Sequence, residues 1–376
     1  MLTIDAVHLR EINLPLAHPF ETSFGVTTAR RILLVEIESE GLTAWGECVA
    51  GEHPYFCEES IDTAWIVAET ELAPRLVGRE VVGGGSCPDL FRAVRGNRMA
   101  KAALENAVWD LDAQKKRVSL AKLLGGTREV IPCGVSIGIQ SSREALLEKI
   151  AEELEAGYQR IKLKCKPGWD TSIFELVRER WPEIMLSCDA NSAYRIADFD
   201  HIAEWDQFKL LMIEQPLWYD DFYFHAMLQK RLDTVICLDE SIRNRRDALA
   251  AIDMDSCRII NIKVGRVGGF SEAIAVHNAA AERGIPVWCG GMLETGIGRA
   301  HNIALSSLDN FSLPGDVSAS ARYWAEDIIE PEVTVSAKGE IAVQNGVGSG
   351  FAVRRDRIEK LTVRKQTIRA AARVMA

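Results

Sequence analysis

Five charged residues recur at nearly one interval: Lys164, Asp189, Glu214, Asp239 and Lys263, spaced 25, 25, 25 and 24 residues apart. Each ends a short apolar run, in RIKLK, IMLSCDA, KLLMIEQP, TVICLDES and IINIKV. Carboxylates brought together repel one another unless a cation neutralises them. All-oxygen ligation suits Mg2+, with Mn2+ the alternative. Such a cation binds a substrate carboxylate and stabilises the negative charge that develops when the neighbouring C–H proton leaves. The proton needs a base, and a lysine at its ordinary pKa of about 10.4 is neutral in only about one molecule in 2,500 at pH 7. Lys162 lies two residues before Lys164, so on a strand the two share one face about 7 Å apart. A second ammonium there disfavours the charged form of Lys164, and Lys162 is also a candidate to hold the substrate carboxylate. Arg266, three residues past Lys263, is the matching cation for that lysine. Taken singly, each has an ordinary reading: a strand-end Asp caps a helix, Lys162 neutralises an acidic wall, and Arg266 is a solvated loop residue. Five in register argue for a site.

The elements that must position them follow from the same rhythm. Apolar runs begin at 160, 184, 209, 234, 259, 285 and 310, separated by helical segments such as SIFELVRERW and GFSEAIAVHNAAAERG. An earlier run, IPCGVSIG from Ile131, precedes the helix SSREALLEKIAEELEAG and makes eight strands. Strands alternating with helices of this length are repeated βαβ units, and eight of them close into a barrel. An open doubly wound sheet fits the count less well. Chemistry in such barrels sits at the C-terminal ends of the strands, where all five charged residues fall. Lys164 ends strand two and Lys263 strand six, so they face each other across the mouth with the carboxylates between. We expect an N-terminal α+β capping domain over 1–125, the barrel over 126–322, and a segment over 323–376 that completes the cap. The loop GGGSCPD (83–89) lacks the Lys-Ser/Thr of a phosphate cradle and reads as a turn. GIGRA (296–300) reads as a tight turn into a helix.

Composition narrows the rest. The chain has 376 residues, 47% hydrophobic and 26% charged, with a net charge of −10. That charge opposes general nucleic-acid binding, and no apolar run reaches the length of a membrane span. The opening MLTIDAVHLREINLP alternates like a strand and lacks the pattern of a signal peptide. Nine cysteines without a C-x-x-C pair read as reduced thiols, and we expect a cytoplasmic location. The expected partners are a small carboxylate substrate and further copies of the chain, with neither nucleic acid nor membrane.

At the charged strand ends the sequence resembles the enolase superfamily, specifically its muconate-lactonizing-enzyme subgroup. The motifs are K-x-K (Lys162, Lys164), D-x-N (Asp189, Asn191), E-Q-P (Glu214 to Pro216), D-E-S (Asp239 to Ser241) and K-V-G (Lys263 to Gly265). The mandelate-racemase subgroup fits less well, because strand seven ends without a His. WCGGMLETGIGRAHNIALSSL (288–308), HPFETSFG (18–25) and WGECVAGEHPYF (45–56) are similar to the branch that holds o-succinylbenzoate synthases and N-acylamino acid racemases. The resemblance implies a (β/α)7β barrel with a cap built from both termini. It implies Asp189, Glu214 and Asp239 as Mg2+ ligands, with Lys164 and Lys263 as the acid/base pair. Asn191 and Glu240 come from the same motifs, as a substrate contact and a supporting residue. Cap loops close over substrate in this family, which makes Phe20, Phe24, Tyr55 and Phe56 lid candidates. Gly291 and Met292, after strand seven, would offer backbone N–H groups to a carboxylate. The implied reaction is syn dehydration of 2-succinyl-6-hydroxy-2,4-cyclohexadiene-1-carboxylate in menaquinone biosynthesis, or racemisation of N-succinylamino acids. A dipeptide epimerase of the same subgroup would use a strand-eight group such as Asp316. A non-catalytic barrel scaffold is opposed by the full set of lysines and carboxylates.

Overall fold

The 25-residue step is a ring of parallel strands. The computed structural model describes residues 1–23 and 25–370. Seven strands pair in sequence order: Gly134–Ile137, Arg160–Lys164, Met185–Asp189, Ile213–Glu214, Ile236–Leu238, Ile259–Ile262 and Val287–Cys289. Helices such as Arg143–Glu155, Thr171–Arg180 and Phe270–Glu282 return the chain between them. Segment 310–316 takes the eighth place without forming a regular strand. It bonds strand seven through Val287 N–H to Asn310 O (3.2 Å) and Asp316 N–H to Cys289 O (2.8 Å). It bonds strand one through Gly134 N–H to Gly315 O (2.7 Å), which closes the ring. Pro314 brings no N–H to a ladder, and a Cβ on Gly315 would lie 2.9 Å from Cys289 O.

The first apolar run divides. Val130–Pro132 pairs antiparallel with Glu340–Ala342, and only Gly134–Ile137 enters the barrel. Within the strands, side-chain alternation separates two environments. Ile161, Leu163, Leu186, Cys188 and Ile260 pack with the surrounding helices in the main core. Met212, Cys237, Ile259 and Trp288 form a separate apolar cluster. Trp288 lies under the cations of strand two, its ring 4.7 Å from the Arg160 guanidinium carbon and 4.5 Å from Lys162 Nζ.

A four-stranded antiparallel sheet forms the cap, in the order Thr362–Arg369, Ala6–Thr22, Gly25–Ser39 and Leu42–Cys48. Lys365 pairs with Arg10 and Leu9 with Val35, so one edge strand comes from the far end of the chain. The sheet packs on helix Arg98–Lys116 through an alanine-rich face including Ala100, Ala103 and Ala107. Contact is close enough that a Cβ on Gly46 would fall 1.8 Å from Ala103 O. The glycines at 83–85 form the expected turn, with Gly84 against Trp109. All nine cysteines are free. Among the described residues, no helix is long and apolar enough to cross a membrane.

Candidate active site at the barrel mouth

Strand register brings the charged residues together. Lys164 pairs with Asp189, Asp189 with Glu214, and Glu214 with Cys237, two residues before Asp239. Lys164 Nζ donates to Asp189 Oδ2 (2.6 Å) and Asn191 Oδ1 (2.7 Å). Lys162 Nζ contacts Glu214 Oε2 (2.7 Å), Asp316 Oδ2 (2.8 Å) and Asp189 Oδ2 (3.4 Å). Lys263 Nζ donates to Asp239 Oδ2 (2.7 Å), while Arg266 takes Oδ1 of the same carboxylate. Asn191 Nδ2 donates to Glu240 Oε1 (3.0 Å), and Asn261 Nδ2 to Glu214 Oε1 (2.7 Å). Gln215, from E-Q-P, accepts from Asp239 N–H (3.0 Å) and fixes the loop after strand five. Asn191, Ser192, Gln215 and Leu293 all have positive φ, the strained left-handed conformation that non-glycine residues adopt rarely and that gathers at functional loops.

Burial and mutual repulsion set the electrostatics. Burial pushes Glu214 up to about 7, helped by Asp189, against the pull of Lys162. Burial pushes Glu240 up to about 8, helped by Asp239 and Asp189. Asp189 moves the other way: burial acts to raise it, but Lys164 and Lys162 bring it down to about 2. The lysines respond in kind. Burial acts to lower both Lys162 and Lys263, yet facing carboxylates leave both raised, Lys162 strongly. Lys162 thus neutralises an acidic wall, its ordinary reading. Its ammonium is tied to three carboxylates, one of which, Asp189, lies between it and Lys164. Arg266 stands beside Lys263 as expected, and its ordinary reading as a loop residue does not hold. It is 3% exposed, not a solvated loop residue, and donates to Ile242 O (2.7 Å) and Asn261 O (2.5 Å) besides Asp239. It therefore acts on Lys263 through the carboxylate they share.

The carboxylates do not converge on open space. Among the described residues, no three carboxylates, imidazoles or thiols are disposed as a ready metal cage. The lysine ammoniums cover them instead. The donor set still fits a hard divalent cation in charge and in kind. Four buried carboxyls crowd three neighbouring strand ends, two are pushed towards neutrality, and Glu240 Oε2 and Asn261 Oδ1 are buried without partners. Lysine stems are flexible, so a cation can take the carboxylates and leave the ammoniums facing the cavity.

That cavity, of about 320 Å3, lies between barrel and cap and is lined by Lys162, Lys164, Asn191, Lys263, Gly291, Met292, Phe20, Tyr55 and Phe56. Phe56 covers one base, with Lys263 Nζ 4.4 Å from its ring centre. Phe20 packs edge-on to Tyr323, their centres 6.4 Å apart. Tyr55 is 64% exposed at the rim. The hairpin carrying Phe20 touches the barrel through Ile139 N–H to Glu21 O (3.0 Å) and a Lys166–Glu21 ion pair (3.2 Å). Phe24 lies outside the described residues. Among the described residues, the N–H groups of Gly291 and Met292 have no acceptor. Gly291 must be glycine here, since a Cβ would stand 2.8 Å from Asp316 O.

The sequence reading passed over Arg160 and Arg30. Arg160, the first residue of RIKLK, shares the inward parity of both lysines, a signal that was available. It is fully buried and donates to Asp316 Oδ1 (2.5 Å) and Pro314 O (3.0 Å). Arg30 reaches the cavity from the cap, its guanidinium on Val49 O and Ala50 O, with nothing local to mark it.

Residues 4–125 match the mandelate racemase/muconate lactonizing enzyme N-terminal domain, and residues 145–357 the enolase C-terminal domain-like family. The chain is 50% identical over 362 residues to an o-succinylbenzoate synthase of Geobacillus kaustophilus, covering 96% of each. It is 45% identical to an N-succinylamino acid racemase of Thermus thermophilus, covering 96% of this chain and 98% of that one. An enolase-superfamily crystal structure from Listeria innocua superposes with a TM-score of 0.94 at 42% identity, over 98% of this chain and 100% of that one.

Proposed function

The chain belongs to the mandelate racemase/muconate lactonizing enzyme family of the enolase superfamily, and we propose that it is a metal-dependent o-succinylbenzoate synthase that also racemises N-succinylamino acids. The observation that carries this reading is the pair of lysines, from strands two and six of the ring, that line one cavity. A divalent cation, Mg2+ by preference, held by Asp189, Glu214 and Asp239 would neutralise these carboxylates and stabilise charge developing on the substrate carboxylate. As a neutral amine, Lys164 takes the proton from the carbon next to that carboxylate. The C–H electron pair moves into the ring, the C–OH bond breaks on the same face, and the Lys164 proton leaves with the hydroxyl as water. Lys263 stays an ammonium beside the developing anion. Phe20, Tyr55 and Phe56 keep water from it.

Racemisation uses the same two groups differently: one lysine removes the α-proton and the other returns a proton to the opposite face. The 45% identical racemase supports this second activity. Dipeptide epimerisation is less favoured, because Asp316 is already engaged, Oδ1 by Arg160 and Oδ2 by Lys162 and Ser136. The test is turnover of the cyclohexadiene carboxylate, alongside α-proton exchange of N-succinylamino acids in D2O. Both are expected with Mg2+ and neither with excess EDTA. Full turnover by metal-free protein would remove the metal from the proposal, and silence in both assays would leave a scaffold.

A further inference from the structure

Arg30, on cap strand Gly25–Ser39, lines the barrel-mouth cavity together with Lys164 and Lys263. It is 7% exposed. Its Nη2 donates to Val49 O (3.2 Å) and Ala50 O (3.3 Å), holding the start of the loop that carries Tyr55 and Phe56. Its Nε is buried without a partner. Among the described residues Nη1 has no partner either, and unlike Nε it is not shut away from the cavity. A clamp on two carbonyls occupies one arm of the guanidinium and needs no charge. The other arm is left without a partner, which buried polar groups rarely are.

The charge lacks a partner as well. Glu47 and Glu294 act on Arg30 only through space. Burial pushes Glu47 up to about 7, and its Oε2 is taken by the Thr295 hydroxyl and Gly298 N–H, so its compensation is partial. Burial outweighs both carboxylates and leaves the Arg30 pKa below its usual value, yet a guanidinium stays charged at neutral pH. A buried cation short of counter-charge is costly until an anion meets it. Asp189, Glu214 and Asp239 are not among the charges that act on Arg30, so it stands away from the end of the cavity where a cation and the first substrate carboxylate would sit. A carboxylate at the far end of the substrate fits this arm in charge and in hydrogen bonding.

We propose that Arg30 receives the second carboxylate of a dicarboxylate substrate on Nη1, and so selects for acids with a charged far end. The inference rests on the reading of this cavity as a site for o-succinylbenzoate and N-succinyl derivatives, and adds the residue that reads the succinyl end. The free N–H groups of Gly291 and Met292 are the other receivers in the cavity, and the test separates them.

The probes are o-succinylbenzoate and 2-butanoylbenzoate, which carries a methyl group in place of the second carboxylate, titrated calorimetrically into the full-length Mg2+-loaded protein. We expect the wild type to bind o-succinylbenzoate at least tenfold more tightly. Arg30→Gln keeps an amide donor for the Val49 and Ala50 carbonyls and removes the charge. It should weaken o-succinylbenzoate tenfold or more and 2-butanoylbenzoate less than twofold. If Arg30→Gln does not fold, by circular dichroism, Arg30→Lys decides instead. Its single nitrogen cannot both hold the loop and meet the carboxylate as two arms do, so the preference should shrink at least threefold. Overturning results are equal affinities in the wild type, an unchanged preference in the deciding variant (the carboxylate then sits on the Gly291 and Met292 N–H groups), or equal losses of both ligands (Arg30 then only clamps the loop). A wild type that binds neither ligand would overturn the functional reading itself.

Discussion

Arg160→Met removes a cation from the most enclosed part of the barrel. Its guanidinium is wholly buried, donates to Asp316 and Pro314, and stacks on Trp288. Asp316 is held far below the usual carboxylate range: burial acts to raise it, and Lys162 and Arg160 together overcome that. Breaking a buried pair by removing one partner costs about 3–5 kcal/mol. Asp316 keeps Lys162 and Ser136, which places the loss near the lower end, about 3 kcal/mol. At about 2.1 cal/mol/K per residue, 376 residues give an unfolding entropy of about 0.8 kcal/mol/K, so Tm should fall by about 4 °C. Scanning calorimetry of the metal-free proteins reads this directly. The double variant Arg160→Met/Asp316→Asn, which removes the carboxylate charge along with its partner, should melt nearer to wild type. A single variant that melts with the wild type, or a double variant that melts below the single one, would refute the reasoning, because Arg160 would then be filling space and not holding Asp316 ionised.

Three further outcomes are expected. Lys164→Ala should abolish dehydration, whereas Lys263→Ala should end racemisation yet leave α-proton exchange with a single enantiomer. Equal exchange of both enantiomers, followed by NMR in D2O, would contradict two bases on opposite faces. Arg266→Gln leaves Asp239 to Lys263 alone and favours its ammonium further; each pKa unit is about 1.4 kcal/mol, or tenfold in neutral amine. Racemisation, which needs Lys263 to give and take a proton, should therefore fall much more than dehydration, and equal losses would speak against the shared carboxylate. Asp110 is pushed by burial from 3.8 to about 7. Its folded form thus binds more protons than the unfolded chain between those values, and it contributes a loss of stability as pH rises through that window. Asp110→Asn should flatten the fall in Tm between these limits, and an unchanged profile would show that the carboxyl titrates normally.

The strand-end charges were legible because a parallel barrel repeats one structural unit, so period and parity locate Lys164, Asp189, Glu214, Asp239 and Lys263 without further information. What those residues touch was not. Lys162 was read against its sequence neighbour Lys164, whereas its partners Glu214 and Asp316 come from strands far along the chain. Arg266 was matched to Lys263 by sequence distance, and nothing local shows that Ile242 and Asn261 turn their carbonyls towards it. The eighth strand was counted correctly from NFSLPGD, but its pairing through isolated bridges reflects Pro314 and Gly315, which interrupt a ladder without preventing closure. IPCGVSIG was read as one strand, and the structure divides it at Cys133 because a C-terminal segment claims its first residues. Pairing between distant segments leaves little trace in either segment alone.

The charges inside the ring have a consequence for the order of events in solution. Arg160, Lys162, Lys164, Lys263 and Arg266 are all buried, as are Asp189, Glu214, Asp239, Glu240 and Asp316, so five formal positive charges stand against five negative ones. With every group ionised, as a bound cation would hold Glu214 and Glu240, the inner shell sums to zero apart from the cation's own charge. A divalent cation alone would leave two uncompensated positive charges in a poorly polarisable interior, and a dianion alone two negative ones; both are costly to hold away from water. o-Succinylbenzoate, its cyclohexadiene precursor and the N-succinyl derivatives of neutral amino acids each carry two carboxylates. Cation and dicarboxylate together would form a neutral pair within the protein, and each should raise the affinity for the other by the same factor, as linkage requires. Selection for two negative charges is then a property of the enclosure's total charge, separate from any single contact to the second carboxylate.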